Sequence, residues 1–81
     1  MRDVSLAIDD IYVPVKRRQT LDDARVQALA ESILENGQQT PIWVRRDEGR
    51  YVMVEGLHRL EACRTLGEKT ITAVLVQARR F

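Results

Sequence analysis

The chain has 81 residues, of which 44% are hydrophobic and 31% charged, a composition typical of a small globular protein. We therefore expect one domain over residues 1–81, with a modest core. Thirteen basic residues stand against twelve acidic ones, so the net charge is +1 and any basic surface must be local. No apolar run approaches the length of about 18 residues that a membrane helix needs, so we expect no membrane contact. The single cysteine excludes an internal disulfide, which fits a reducing compartment, and we expect a cytoplasmic protein.

The N-terminal part of the chain is predicted to be extended. Val4 to Ala7 can form a first strand, and Ile8 to Ile11 is typical of a turn that returns apolar side chains to the core. Tyr12 to Val15 is predicted to be extended because Pro14 opposes a helix. Lys16 to Gln19 is predicted to be a basic, polar loop.

The strongest pattern predicts a helix over residues 21–36. Thr20 is a suitable N-cap, and Asp23 occupies the position three residues later that completes a capping box. Gly37 is a suitable C-terminal stop. Apolar residues recur between them at helical spacing: Val26, Leu29, Ala30, Ile33 and Leu34.

The C-terminal half predicts a hairpin, a second helix and a last strand. Residues 42–54 are two strands joined at Asp47-Glu48-Gly49, and a helix follows over about 57–66. Thr70 to Val76 is rich in β-branched residues, and 78–81 is predicted to be a frayed end. The order indicates an α+β fold, a small mixed sheet with helices packed on it, and the pattern leaves the topology open.

Two side chains on these elements allow more than one interpretation. Trp43 alternates with the core-facing Ile42 and Val44, so we expect it to point away from the core together with Arg45. We predict that it packs under a helix, and an interface or a base-stacking surface is the alternative. Cys63 falls on the apolar stripe of the second helix and is predicted to be a buried structural thiol, which makes a poor nucleophile.

The start of the second helix conflicts with ordinary helix chemistry. No Ser, Thr, Asp or Asn stands between Val54 and Arg59, and the first turn instead holds His58 and Arg59. Cations are unfavourable at the positive end of a helix dipole, whereas free backbone N–H groups there attract anions. Gly56 would let a phosphate approach the backbone, Arg59 would bind it bidentately, and Ala62 would leave space on that face.

A simpler interpretation of the same stretch is that no ligand binds. Glu55 and Arg59 are four residues apart and can pair with each other. His58 would then be a surface residue, and Gly56 would only make the turn.

The whole chain from about residue 4 to 76 resembles the N-terminal domain of ParB-type partition proteins and, more distantly, sulfiredoxin. The similarity lies in consecutive stretches: Leu29 to Gly37, Thr40 to Arg45, the Gly56-Leu57-His58-Arg59-Leu60-Glu61-Ala62 match to a G-x-x-R-x-x-A signature, and Leu66-Gly67. The resemblance implies a ParB/sulfiredoxin-like fold in which this junction binds nucleotide phosphates.

The resemblance also implies a set of site residues. The signature places Gly56, Leu57, His58, Arg59 and Ala62 at the phosphates of a nucleotide, either CTP or ATP/ADP with Mg²⁺, and it implies no transition metal. Arg17 and Arg18 lie in the loop that flanks the nucleotide pocket in this family, although a solvated loop is the simpler interpretation. Sulfiredoxin-like enzymes carry a reactive cysteine where this chain has Leu57, so we do not expect that chemistry.

Three classes of function follow from these residues. The first is a nucleotide-binding module, regulatory or DNA-associated, of the type that serves plasmid or chromosome maintenance. The second is a nucleotide-dependent enzyme, an NTPase or small-molecule kinase with Glu55 as its base, or less favourably a nuclease. The third is a protein-interaction domain that has lost its ligand. Expected partners are a nucleotide, non-specific DNA, and a second copy of the chain or a larger protein.

Overall fold

The computed structural model describes residues 2–38 and 40–77. These residues form five strands and three helices in the order β1 (Asp3–Ala7), β2 (Ile11–Tyr12), α1 (Val15–Arg18), α2 (Asp23–Asn36), β3 (Ile42–Asp47), β4 (Arg50–Glu55), α3 (Leu57–Thr65) and β5 (Thr70–Leu75). A 3-10 turn over Ile8–Asp10 joins β1 to β2. The predicted frayed end over residues 78–81 lies outside the described residues.

The strands form one mixed sheet in the order β1-β5-β3-β4-β2. β1 pairs with β5 and β3 with β4 in antiparallel fashion, whereas β3–β5 and β2–β4 are parallel. The hairpin turn has positive φ at both Glu48 (51°) and Gly49 (80°), the geometry that suits a two-residue connection between twisted strands. The predicted α+β class, with a small mixed sheet and packed helices, is confirmed.

The core lies between the sheet and α3, and α2 packs on α3 as an outer layer. Leu60 and Cys63 of α3 are fully buried against sheet residues such as Ile42 and Met53. Ala62 is also fully buried, but it packs against Val26 and Ala30 of α2. Within the described residues, every helix is too short or too polar to span a membrane.

Two local predictions were wrong near the N-terminus. Residues 16–18 are helical in α1, because the restriction that Pro14 imposes acts on the residue before it and leaves Val15 free to begin a helix. The N-cap of α2 is Asp22, whose side chain accepts a hydrogen bond from the Ala24 N–H at 3.0 Å. Thr20 instead donates its hydroxyl proton to the carbonyl of Arg17 at 2.7 Å.

Gln38 holds the chain between α2 and β3 against the sheet. Its side-chain amide donates to the carbonyls of Thr72 and Thr40 at 2.9 and 3.0 Å and accepts from the Thr72 N–H at 2.9 Å. The amide therefore pairs with β5 as a strand residue would, just before β3 begins at Ile42.

We predict that Gln38→Ala lowers the free energy of unfolding by about 1–3 kcal/mol, because it leaves both backbone groups of the half-buried Thr72 without their protein partner. Thermal or urea unfolding measures the change. Gln27→Ala, on the exposed surface of α2, is the matched control and should change stability by no more than about 0.5 kcal/mol. Equal losses in the two variants would contradict this role of Gln38.

The connection from β4 to α3 requires glycine for two reasons. Gly56 has φ +112°, a conformation that side chains strongly disfavour. A Cβ at this position would also lie 2.5 Å from Cγ2 of Ile42 on the neighbouring strand β3. The close approach fixes where α3 begins relative to the sheet.

We predict that Gly56→Ala destabilises the fold by at least about 2 kcal/mol, since it combines backbone strain with a collision against Ile42. Gly67→Ala is the matched control: Gly67 also has a positive φ (+78°), but a Cβ there meets no atom within 4 Å. In thermal unfolding, the Gly56 variant should lose clearly more than the Gly67 variant. Similar losses would show that the contact with Ile42 is not the reason for the glycine.

Candidate functional site

A cleft of about 460 Å³ opens where β4 ends and α3 begins. The parallel strands β2 and β4 both point toward it, so the segments that follow them meet there. Among the residues that the structure describes, four segments line the cleft: the one after β2, the start of α2, the beginning of β3 and the β4–α3 junction. The lining residues are Arg17, Thr20, Arg25, Leu29, Thr40, Pro41, Trp43, Met53, Glu55, Gly56, Leu57, His58 and Arg59.

The first turn of α3 has no side-chain cap. Its N-cap is Gly56, and the turn contains no acidic residue. The N–H groups of Leu57, His58 and Arg59 have no acceptor among the residues that the structure describes, as is normal for the first turn of a helix. This helix start therefore presents unpaired donors to the cleft.

His58 joins the starts of the two long helices. Its Nε2 accepts a hydrogen bond from the Asp22 N–H, the N-cap of α2, at 3.0 Å. This acceptor role places the imidazole proton on Nδ1. Because of this bond, the positive ends of the α2 and α3 dipoles lie side by side at the cleft.

The cleft carries an excess of positive charge. Arg17, Arg25 and Arg59 line it, whereas Glu55 is the acidic residue in its described lining. Glu55 lies 3.5 Å from Arg17, and both side chains are about half exposed, so this ion pair is weak. The suggested pairing of Glu55 with Arg59 is wrong, because Glu55 lies on β4 before the helix starts and contacts Arg17 instead.

The structure places most of the predicted site residues together at this cleft. Glu55, Gly56, Leu57, His58, Arg59 and Arg17 all line it. Arg18 is exposed and is not part of the lining. Ala62 is buried under α2, so the space that its small side chain provides is filled by that helix.

Several residues of the cleft were not predicted. Arg25 lies in the first turn of α2, so the reasoning applied to Arg59, a cation at a helix start, would also have identified it. Trp43 points away from the core as predicted; it is 43% exposed and lines the cleft, so the favoured packing under a helix is wrong, and the alternative of an exposed interface or base-stacking surface stays a prediction. Its position depends on strand pairing, which gives no local signal in the sequence.

Two further observations concern reactive and metal-binding groups. Cys63 is buried at 2% exposure. Burial raises the pKa of its thiol and Glu68 adds to this, although Arg59 opposes it. Leu57, at the position where sulfiredoxins have cysteine, is itself a core residue. In the part of the chain that is described, no three His, Cys, Asp or Glu side chains converge to hold a metal ion.

Comparison with known proteins gives relatives along nearly the whole chain. The chain is 34% identical over 76 residues to a probable chromosome-partitioning protein ParB of Helicobacter pylori, a match that includes 93% of this chain and 26% of that protein. The curated relatives are longer: the chain spans 20%, 26% and 54% of the three that it matches, which include a nucleoid occlusion protein and a sulfiredoxin.

Solved structures show the same fold. Sulfiredoxin from Arabidopsis thaliana superposes with a TM-score of 0.87 at 33% identity, with 96% of this chain and 88% of that chain aligned. A truncated ParB from Caulobacter crescentus, complexed with CTP-gamma-S, gives 0.83 at 26% identity over 98% and 46% of the two chains. A free serine kinase in complex with ADP gives 0.80 at 23% identity over 94% and 31%, a likeness of fold alone.

The family model of the ParB N-terminal domain matches residues 2–80. The predicted ParB/sulfiredoxin-like fold is confirmed by this match together with the superpositions. The chain belongs to the ParB N-terminal domain family.

Proposed function

We propose that this domain is a nucleotide-binding module that holds the phosphates of its ligand at the start of α3. The observation that carries the proposal is the uncapped first turn of α3, where unpaired N–H groups and the side chains of His58 and Arg59 face a cleft lined by two more arginines. The cleft volume of about 460 Å³ falls within the range of small-molecule sites.

The electrostatics of the cleft favour an anion with several charges. The α3 dipole adds to the formal charges of Arg17, Arg25 and Arg59. Glu55 offsets one of these arginines, and the acidic residues Asp22 and Asp23 offset the α2 dipole at its own start. A phosphate group accepts several hydrogen bonds at once and suits the forked guanidinium of arginine. The phosphates would occupy the space between Gly56, Leu57, His58 and Arg59.

The biological setting of the proposal comes from relatives. Proteins with this domain include a probable chromosome-partitioning protein and a nucleoid occlusion protein, and solved ParB structures of this fold are complexed with CTP-gamma-S and with the centromeric parS site. We propose a regulatory role of the same kind, with CTP or ATP/ADP as ligand, Mg²⁺ carried by its phosphates, and DNA as a partner of the larger assembly. Arg18 would contribute to the surrounding positive field without touching the ligand.

Ligand binding is tested by thermal unfolding of the domain with CTP, ATP, GTP, ADP or sulfate, with and without Mg²⁺. A nucleotide at 100 times its dissociation constant should stabilise the fold by about 2.7 kcal/mol and raise the melting temperature by roughly 10 °C or more. Arg59→Ala should abolish most of this increase, because it removes a charged hydrogen-bond donor from the phosphate site.

The matched control is Arg64→Ala on the same helix. Arg64 pairs with Asp9 and Glu61 and is not part of the described cleft lining, so this variant should keep the full stabilisation by nucleotide. If no nucleotide raises the melting temperature of a cooperatively unfolding wild type, the proposal is wrong. The domain would then be better described as a protein-interaction module.

An enzymatic alternative rests on the position of Glu55, which is about half exposed on the cleft wall and could act as a base toward a bound substrate. If the domain turns over a nucleotide, Glu55→Gln should lower phosphate release from CTP or ATP at least 100-fold while leaving binding in place. We expect instead that the wild type releases no phosphate above the rate of a buffer control. Measurable turnover that disappears in Glu55→Gln would replace the binding module with an enzyme.

A further inference from the structure

Trp43 has an unusual position for the largest apolar side chain of a small domain. It is the only tryptophan in the sequence, its side chain is 43% exposed, and it lines the cleft. Tryptophan contributes much apolar surface to cores and interfaces, so leaving it exposed in a cleft forgoes stabilisation that burial would give. A ligand that covers the indole would recover it.

A β-bulge on the neighbouring strand β4 lies beside this side chain. Trp43 pairs with Glu55 and Val44 pairs with Met53, so Val54 is an extra residue on β4 that has no partner on β3. Bulges bend a strand locally and re-aim the side chains beside them. Here the bulged strand is β4, and the shift in register brings its last residue, Glu55, opposite Trp43, next to Gly56 and the start of α3.

The lining of the cleft is divided by polarity. Arg17, Arg25, His58 and Arg59 supply its basic part, whereas an apolar wall is formed by Pro41, Trp43, Met53 and Leu57. An occupant that satisfies both parts has an anionic end and a flat, apolar or aromatic end. A phosphate ion alone would use only the basic part.

We propose that Trp43 is the platform on which the nucleobase of the ligand stacks. This inference rests on the proposed nucleotide binding and adds the residue that recognises the base. Stacking on an aromatic face tolerates different bases, because every base presents a π face. The platform therefore contributes affinity for nucleotides over inorganic phosphates and little discrimination among CTP, ATP and GTP.

The test separates the base from the phosphates by comparing each nucleotide with inorganic tripolyphosphate. Affinities are measured by calorimetry for wild type, Trp43→Ala, Trp43→Phe and Tyr12→Ala. Trp43→Ala should weaken nucleotide binding by about 5- to 150-fold and leave tripolyphosphate binding unchanged, and Trp43→Phe should restore most of the loss. Tyr12→Ala is the matched control, since Tyr12 is also exposed (38%) but is absent from the described cleft lining.

Fluorescence gives a second, independent readout because Trp43 is the sole tryptophan. Nucleotides should quench its emission on binding, and tripolyphosphate should not. Two results would overturn the stacking proposal in a protein whose nucleotide binding depends on Arg59. In the first, Trp43→Ala binds nucleotides as tightly as the wild type; in the second, it loses affinity for nucleotides and tripolyphosphate equally. In either case the proposed nucleotide binding itself would still stand. If neither ligand binds the wild type, both proposals fall together.

Discussion

The contact between Gly56 and Ile42 fixes the geometry on which the rest of the molecule depends. The chain passes from β4 into α3 through a single residue, directly against the neighbouring strand β3. Any side chain at this residue would push the helix away from the sheet. Because the helix starts so close to β3, Leu57 enters the core at once, whereas the free N–H groups of the first turn face the cleft.

The cleft concentrates positive potential in a way that the fold alone does not require. Two helix starts lie side by side through the His58–Asp22 hydrogen bond, and three arginines surround them. One weak ion pair, between Glu55 and Arg17, offsets part of this charge. Like charges in such an arrangement cost free energy that a bound polyanion would recover, so ligand binding and stability of this region should be coupled.

Local sequence signals predicted the long elements and singled out the β4–α3 junction that lines the cleft, and they failed where long-range packing decides. The periodicity that ends at Gly37 was sufficient to predict α2, and the mismatch between a helix start and the basic side chains of His58 and Arg59 was sufficient to single out the junction. The two-residue strand β2 was not predicted, because it exists only through its pairing with β4, about 40 residues away in sequence.

The errors within the site have the same physical origin. Ala62 lies one turn after Arg59, so the sequence suggested that both face the ligand, but α2 covers Ala62 completely. Trp43 points away from the core as the strand alternation predicted, but whether a helix or the cleft meets that face depends on how β3 pairs with its neighbours. Which face of an element is covered, and by what, is a tertiary property that no single segment contains.

The β4–α3 junction differs in one respect from what the resemblance to sulfiredoxin would require for its chemistry. Gly56, His58 and Arg59 of the signature line the cleft, and Leu57, which the resemblance places at the sulfiredoxin cysteine, lies in the core. Its one thiol, Cys63, is buried, and its burial disfavours the thiolate that a nucleophile requires. The side chains that remain at the cleft donate hydrogen bonds, carry charge or offer a π face. Under the proposed function, these groups would bind and orient a nucleotide, and the occupied state of the cleft would be the output of the domain.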